Sequence, residues 1–293
     1  MISIQAKAIH FILKVLMVKS WLLALALKKP PRTKGDIVPK SIKSALHVSM
    51  ILVDGKQVVT MQAKQPASNK HIIYLHGGGY YLEAAIMHWK LIQRIIETTG
   101  FRVTLLDYPL APESDYRKSH AMIHQAFEQL CQKYPDDQFY LMGDSAGGGL
   151  SLALLQSLRA KGVERIPQKT VLLSPWLDAS MTNPKIPELE KFDLLLSTSA
   201  LQKAAMLYAN GADLKSPPLS PLYGDMQNLG KIALFIGGDE TFVADCRILK
   251  EKIEKTNTEL QYFEYPHMQH VWVILPIPEA KKAFQQACDF LQN

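Results

Sequence analysis

Cysteine is scarce: Cys131, Cys246 and Cys288 are the only three in 293 residues, widely spaced and odd in number. That excludes a disulfide framework and a paired C-x-x-C metal site, and it points to reduced thiols in a cytoplasmic setting. Internal repeats, low-complexity tracts and long runs of one charge are also missing, which removes repeat architectures and disordered tails. Nor is there an unbroken apolar stretch of the roughly 20 residues that a membrane-spanning helix needs. Lys14 and Lys19 interrupt the N-terminal apolar run, at about 2.5–3.5 kcal/mol each on insertion scales. Trp21 to Leu27 is a short apolar run with no small-x-small cleavage site before Lys28, so a secretion signal is not expected. What is present is ordinary globular composition, 47% hydrophobic and 20% charged, enough for a sizeable core in one α/β domain plus a modest cap.

The net charge of +6 would suggest nucleic acid as a partner if it were spread over the chain. It is not. Residues 1–43 carry nine basic groups against Asp36 alone, a local charge of +8, and the other 250 residues sum to -2. The body is nearly neutral, so no nucleic-acid partner is expected. From Ile2 to Leu27 the pattern reads as a helix apolar over most of its girth, with Ser3, Lys7, His10 and Lys14 on one narrow stripe. Residues 1–43 are therefore expected to form an N-terminal helical cap segment, with room for weak contact between its basic helix and an anionic membrane surface.

From residue 44 to 293 the chain reads as one domain. His47 to Val53 and Gln57 to Gln62 flank Asp54-Gly55, a hairpin signal. Short apolar runs follow at His71 to Leu75, Val103 to Leu106, Phe139 to Met142, Thr170 to Leu173, Ile232 to Ile236 and Leu260 to Tyr265. They alternate with helix-length segments, which implies crossover connections, a mostly parallel sheet with helices on both faces, and function at the carboxyl ends of the strands. Residues 181–224, rich in proline, read as a cap insertion between strands.

Those strand ends carry the chemistry. Gly143-Asp144-Ser145-Ala146-Gly147 lies between a strand and a helix, the context in which G-x-S-x-G forces a tight turn and lifts the serine above the sheet. The backbone N–H of Ala146, at the helix start, suits a negative charge developing beside Ser145. His76-Gly77-Gly78-Gly79 ends another strand, and its glycines let backbone donors approach a tetrahedral oxyanion. A base is then required, and His270, after the last strand, stands where the order serine, acid, histidine puts it; His267 is its competitor. The acid should follow Ile232 to Ile236, where Asp239 and Glu240 are adjacent and Asp245 is a weaker third. Neighbouring residues point in different directions, so one of Asp239 and Glu240 orients the histidine, and spacing does not choose between them.

With these motifs together the chain resembles the hormone-sensitive-lipase-like branch of the α/β-hydrolases, the esterases marked by HGGG and GDSAGG. The likeness runs over residues 70–290 and includes Asp107 to Glu113, Ser174 to Asp178, Ser220 to Gly224 and His270-Val271-Trp272. It implies an α/β-hydrolase fold with a small helical cap and a serine carboxylesterase acting on small esters of short to medium acyl chains. Ser145 would be nucleophile, His270 base, and Gly78, Gly79 and Ala146 oxyanion donors, supported by His76, Gly77, Gly143, Asp144 and Gly147. The register of the family favours Glu240 over Asp239 as the acid. Pro109 stands where relatives carry arginine, and Gly230-Lys231 replaces a Pro-Pro pair; neither removes a catalytic group. No metal or organic cofactor is implied. The expected partner is a small-molecule ester, with room for a homodimer. The rivals are an amide, lactone or thioester hydrolase with the same residues, or a binding protein that keeps the pocket without catalysis.

Overall fold

The alternation of apolar runs and turn signals is realised as a doubly covered sheet in the computed structural model, which describes residues 2–19, 30, 32–65 and 68–293. The strands are β1 (His47–Val53), β2 (Lys56–Gln62), β3 (Lys70–Leu75), β4 (Arg102–Leu106), β5 (Gln138–Asp144), β6 (Lys169–Leu173), β7 (Lys231–Gly237) and β8 (Glu259–Tyr265). Among the described residues they form one sheet in the order β1-β2-β4-β3-β5-β6-β7-β8. The β1–β2 hairpin is antiparallel at one edge, with Asp54 and Gly55 both at positive φ as its two-residue turn requires. β2 is also antiparallel to β4, and every other pair is parallel.

The helices are α1 (Ile4–Val15), α2 (Lys40–Ala45), α3 (Ile86–Thr99), α4 (Tyr116–Lys133), α5 (Ala146–Ala160), α6 (Ile186–Leu189), α7 (Thr198–Ala209), α8 (Val243–Ile253) and α9 (Pro278–Gln292). Two apolar cores lie on opposite faces of the sheet. Ile73, Leu75, Leu141 and Leu172 face α4, α5 and α8, and Ile72, Tyr74, Met142 and Val171 face α3 and α9. Successive strand residues point to opposite faces, so a strand buried on both sides must be apolar throughout. That explains the short continuous runs in the sequence. Cys246 and Cys288 fall in these two separate cores.

The segment between β6 and β7 contributes α6, α7 and a 3-10 turn at Pro221–Tyr223. Tyr208 of α7 stacks on Tyr80 at 4.2 Å, in the loop after β3. At the N-terminus the expected single helix from Ile2 to Leu27 is not what forms: α1 closes at Leu16, whose N–H bonds to the Ile12 carbonyl, and Met17 turns out of the helix at φ 45°. Residues 20–29, which include Trp21 to Leu27, lie outside the described residues. Ser3 caps α1 by accepting from the Ala6 N–H, and its own N–H and hydroxyl donate to the Glu279 carboxylate on α9. Among the described residues no helix is long and apolar enough to cross a membrane.

Candidate active site

The turn from β5 into α5 places Ser145 at φ 52°, ψ -122°, a region that a side chain rarely occupies. The chain passes so close to β3 that a Cβ on Gly147 would lie 2.0 Å from the Leu75 carbonyl oxygen. Only glycine fits there, and the serine is held at the strand end as a result. Ala146 is the first residue of α5, where N–H groups have no partner within the helix. Among the described residues no backbone acceptor is paired with the N–H of Gly78, Gly79 or Ala146.

His270 lies in the loop after β8, with Nε2 2.9 Å from Ser145 Oγ and Nδ1 2.6 Å from Glu240 Oε2. Glu240 is fully buried. Its other oxygen, Oε1, accepts the Ser174 hydroxyl at 2.6 Å and the Gly237 N–H at 2.7 Å. Ser174 Oγ in turn accepts the N–H of Val271, next to the histidine. Burial works against charge on His270, but the Glu240 carboxylate outweighs it, and the pKa is raised above the usual histidine value. Phe242 packs edge-on against the imidazole at 5.2 Å.

The competing residues are placed elsewhere. Asp239 Oδ2 is 3.3 Å from His267 Nδ1, and His267 is exposed. Asp245 sits in α8, accepts from Asn183 Nδ2 at 2.8 Å, and is pushed up to about 6 chiefly by burial. His76 is buried and stacked on Tyr108 at 4.5 Å, with Nδ1–H donating to the Gly77 carbonyl. Burial, aided by nearby His88, lowers its pKa to about 4. It is therefore a neutral prop for the glycine loop at ordinary pH.

A family model described as alpha/beta hydrolase fold matches residues 72–274. The chain belongs to the α/β-hydrolase family. It is 32% identical over 225 residues to an acetyl-hydrolase of Streptomyces hygroscopicus, covering 76% of this chain and 75% of that one. An esterase of Acinetobacter venetianus is 31% identical over 232 residues, covering 77% and 76%. Among solved structures, an esterase from the bacterial hormone-sensitive lipase family matches with a TM-score of 0.81 at 29% identity, covering 96% of this chain and 97% of that one. The fold class and the hormone-sensitive-lipase-like branch read from the motifs are thus both shown.

In this α/β-hydrolase several contacts around the site have no local sequence signal. Asp144, directly before Ser145, accepts from the Tyr74 hydroxyl at 2.6 Å and the Gly77 N–H at 3.0 Å. Its second oxygen is 3.3 Å from His88 Nε2, while His88 Nδ1 accepts from the Ala85 N–H. One carboxylate thus joins the serine turn to the glycine loop. Burial opposes its charge, and His88 and Tyr74 outweigh that, keeping its pKa below the usual carboxylate value. Arg32 donates to the carbonyls of Tyr81 and Ala111 and to Glu113 Oε2, each at 2.7 Å. The guanidinium comes from the N-terminal segment, far in sequence from the loops it joins. Ser174 was visible as the residue after β6, at the strand end where function is expected, but its bond to Glu240 spans 66 residues.

Proposed function

We propose that this α/β-hydrolase is a serine carboxylesterase acting on small esters of short to medium acyl chains. The observation that carries the reading is the chain of contacts from Glu240 through His270 to Ser145, at 2.6 and 2.9 Å, at the carboxyl ends of the strands. The Glu240 carboxylate holds the proton on Nδ1, leaving Nε2 free to accept. Ser145 Oγ attacks the ester carbonyl carbon as its proton passes to His270 Nε2, and negative charge moves onto the carbonyl oxygen. The N–H groups of Gly78, Gly79 and Ala146 are the donors assigned to that oxygen, and the absence of a backbone acceptor for them among the described residues supports the assignment. The tetrahedral intermediate collapses by breaking the bond to the alcohol oxygen, which takes the proton from Nε2. Water then gives a proton to His270 and attacks the acyl-enzyme, and the acid leaves as Ser145 regains its proton.

Residues 1–43 and the 181–224 insertion are taken as the cap over this site. Tyr208 on Tyr80 supports that for the insertion, and Lys19, whose Nζ donates to the carbonyls of Glu190 and Asp193, supports it for the N-terminal segment. The relative named acetyl-hydrolase favours short acyl groups as substrates here. A panel of p-nitrophenyl esters of graded acyl length, run on the wild type and on Ser145→Ala, tests the reading. The wild type is expected to turn over the shorter esters fastest. The variant should lose nearly all turnover, keeping at most about 10³–10⁴-fold over water. A folded Ser145→Ala protein with near-normal rates would overturn it.

A further inference from the structure

Helix α1 has two apolar sides and only one of them is packed. On the inner side Ala6 is fully buried, with Ile2 and Ile9 half-buried against the core that contains Trp89, Trp272 and Phe284. The Ser3–Glu279 hydrogen bonds fix this side to α9. On the outer side Ile4 is 82% exposed, Phe11 68%, Val15 60% and Ile12 50%, and Leu16 and Met17 continue the surface at 65% each. At about 100° per residue, Ile4, Phe11 and Val15 fall within roughly 40° of one another and opposite Ala6. A helix on the surface of a water-soluble domain normally turns polar residues outward. Here the outward side is the more apolar one.

Charge indicates what covers it. Lys7 and Lys14 are exposed along one edge of the apolar stripe, and the α1 sequence contains no acidic residue. The surrounding 43 residues carry +8. An apolar stripe with basic flanks is the pattern of a helix lying in the plane of a lipid interface. The stripe is also tied to the rim of the site: Lys19, just beyond α1, donates to the carbonyls of Glu190 and Asp193. Between them, the Phe192 carbonyl accepts from Gln269, the residue before His270, and the Phe192 side chain is itself 55% exposed.

We infer that the outer face of α1 is a docking surface for anionic phospholipid, which seats the protein on a lipid surface with the rim of the site close to it. The docking stands on α1 alone and does not depend on the hydrolytic reading. Co-sedimentation of the full chain with vesicles of phosphatidylcholine, and with an equal mixture of phosphatidylcholine and phosphatidylglycerol, tests it. Binding to the mixed vesicles is expected, weaker binding to phosphatidylcholine alone, and a decline with added salt. Phe11→Asp with Val15→Asp should weaken binding at least tenfold while hydrolysis of a soluble p-nitrophenyl ester and the thermal melt stay at wild-type levels. Lys7→Gln with Lys14→Gln, which leaves the apolar side intact, should weaken it by roughly thirty-fold and decides the matter if the first pair fails to fold. Failure of the wild type to bind mixed vesicles, or binding by both paired variants as tight as that of the wild type, overturns the inference. So does a concentration-dependent dimer that Phe11→Asp abolishes, because the face would then belong to a second copy of the chain.

Discussion

Replacing Glu240 by glutamine changes one oxygen to an NH₂ group at nearly constant volume, so the outcome depends on which end of the amide faces His270. The buried Oε1 position receives two donors, the Ser174 hydroxyl at 2.6 Å and the Gly237 N–H at 2.7 Å. The hydroxyl can rotate, but the backbone N–H cannot become an acceptor. Keeping the amide oxygen there places the NH₂ against His270 Nδ1, 2.6 Å away in the wild type. Nδ1 must then accept, the ring proton moves to Nε2, and the imidazole can no longer take the proton of Ser145. The opposite orientation sets the NH₂ against the Gly237 N–H and leaves a buried donor unpaired, at about 1–3 kcal/mol. That difference alone favours the inactive tautomer by roughly five-fold to more than a hundred-fold. The lost stabilisation of the imidazolium adds to it, and a total loss in kcat on the order of 10⁴ is expected, as for the equivalent carboxylate-to-amide change in serine proteases. Asp239→Asn is the control. Its carboxylate is hydrogen-bonded to exposed His267 at 3.3 Å, a contact worth about 0–1 kcal/mol, so kcat should stay within about five-fold. Steady-state hydrolysis of p-nitrophenyl acetate, with a thermal melt of each variant, reads both. A greater loss in Asp239→Asn, or a Glu240→Gln enzyme within tenfold of wild type, would refute the reasoning.

Because His270 must be neutral to accept a proton and its pKa is raised above 6.5 by Glu240, kcat/KM should climb with pH and reach half its plateau above pH 6.5. A pH profile from about 5 to 9 measures this, and a midpoint below 6.5 would count against the pairing. Asp245 is a stability prediction: its carboxyl is raised from 3.8 to about 6, and Oδ2 has no hydrogen-bond partner among the described residues. The folded state binds the proton more tightly, so this contribution is complete below pH 3.8 and is lost as pH rises through 6, about 3 kcal/mol in all. Asp245→Asn should narrow the fall in melting temperature between about pH 4 and 7.5, and an unchanged fall would show that another group titrates.

The parts of this site that could be read from the sequence are those where one stretch of backbone dictates residue type at fixed spacing. Gly147 must lack a side chain because the Leu75 carbonyl lies against it, and such a constraint writes itself into the sequence as G-x-S-x-G. The choice between Asp239 and Glu240 was not of that kind. Consecutive side chains diverge, and what distinguishes them is the Ser174 hydroxyl, brought in from the end of β6. His88 was hidden for a related reason: on α3 it looks like any polar residue of an amphipathic helix until β5 delivers Asp144 beside it. The helix at the N-terminus showed its apolar girth but not which side would pack, because that depends on small Ala6 meeting a core assembled from α3, α9 and the loop after β8.

Arg32 extends the same argument to a departure from the family pattern. With Pro109 in the arginine position, the segment 107–113 has no guanidinium of its own. The Tyr81 and Ala111 carbonyls and the Glu113 carboxylate nevertheless receive one from Arg32, 79 residues away from Ala111. A cation brought in by a distant segment leaves no spacing rule, only one basic residue among the nine in residues 1–43. Beside it, the Thr33 N–H and hydroxyl donate to the Glu83 carboxylate in the loop after β3. A missing donor inside a motif is therefore a reason to look for a replacement elsewhere in the chain rather than to dismiss the substitution as scaffold.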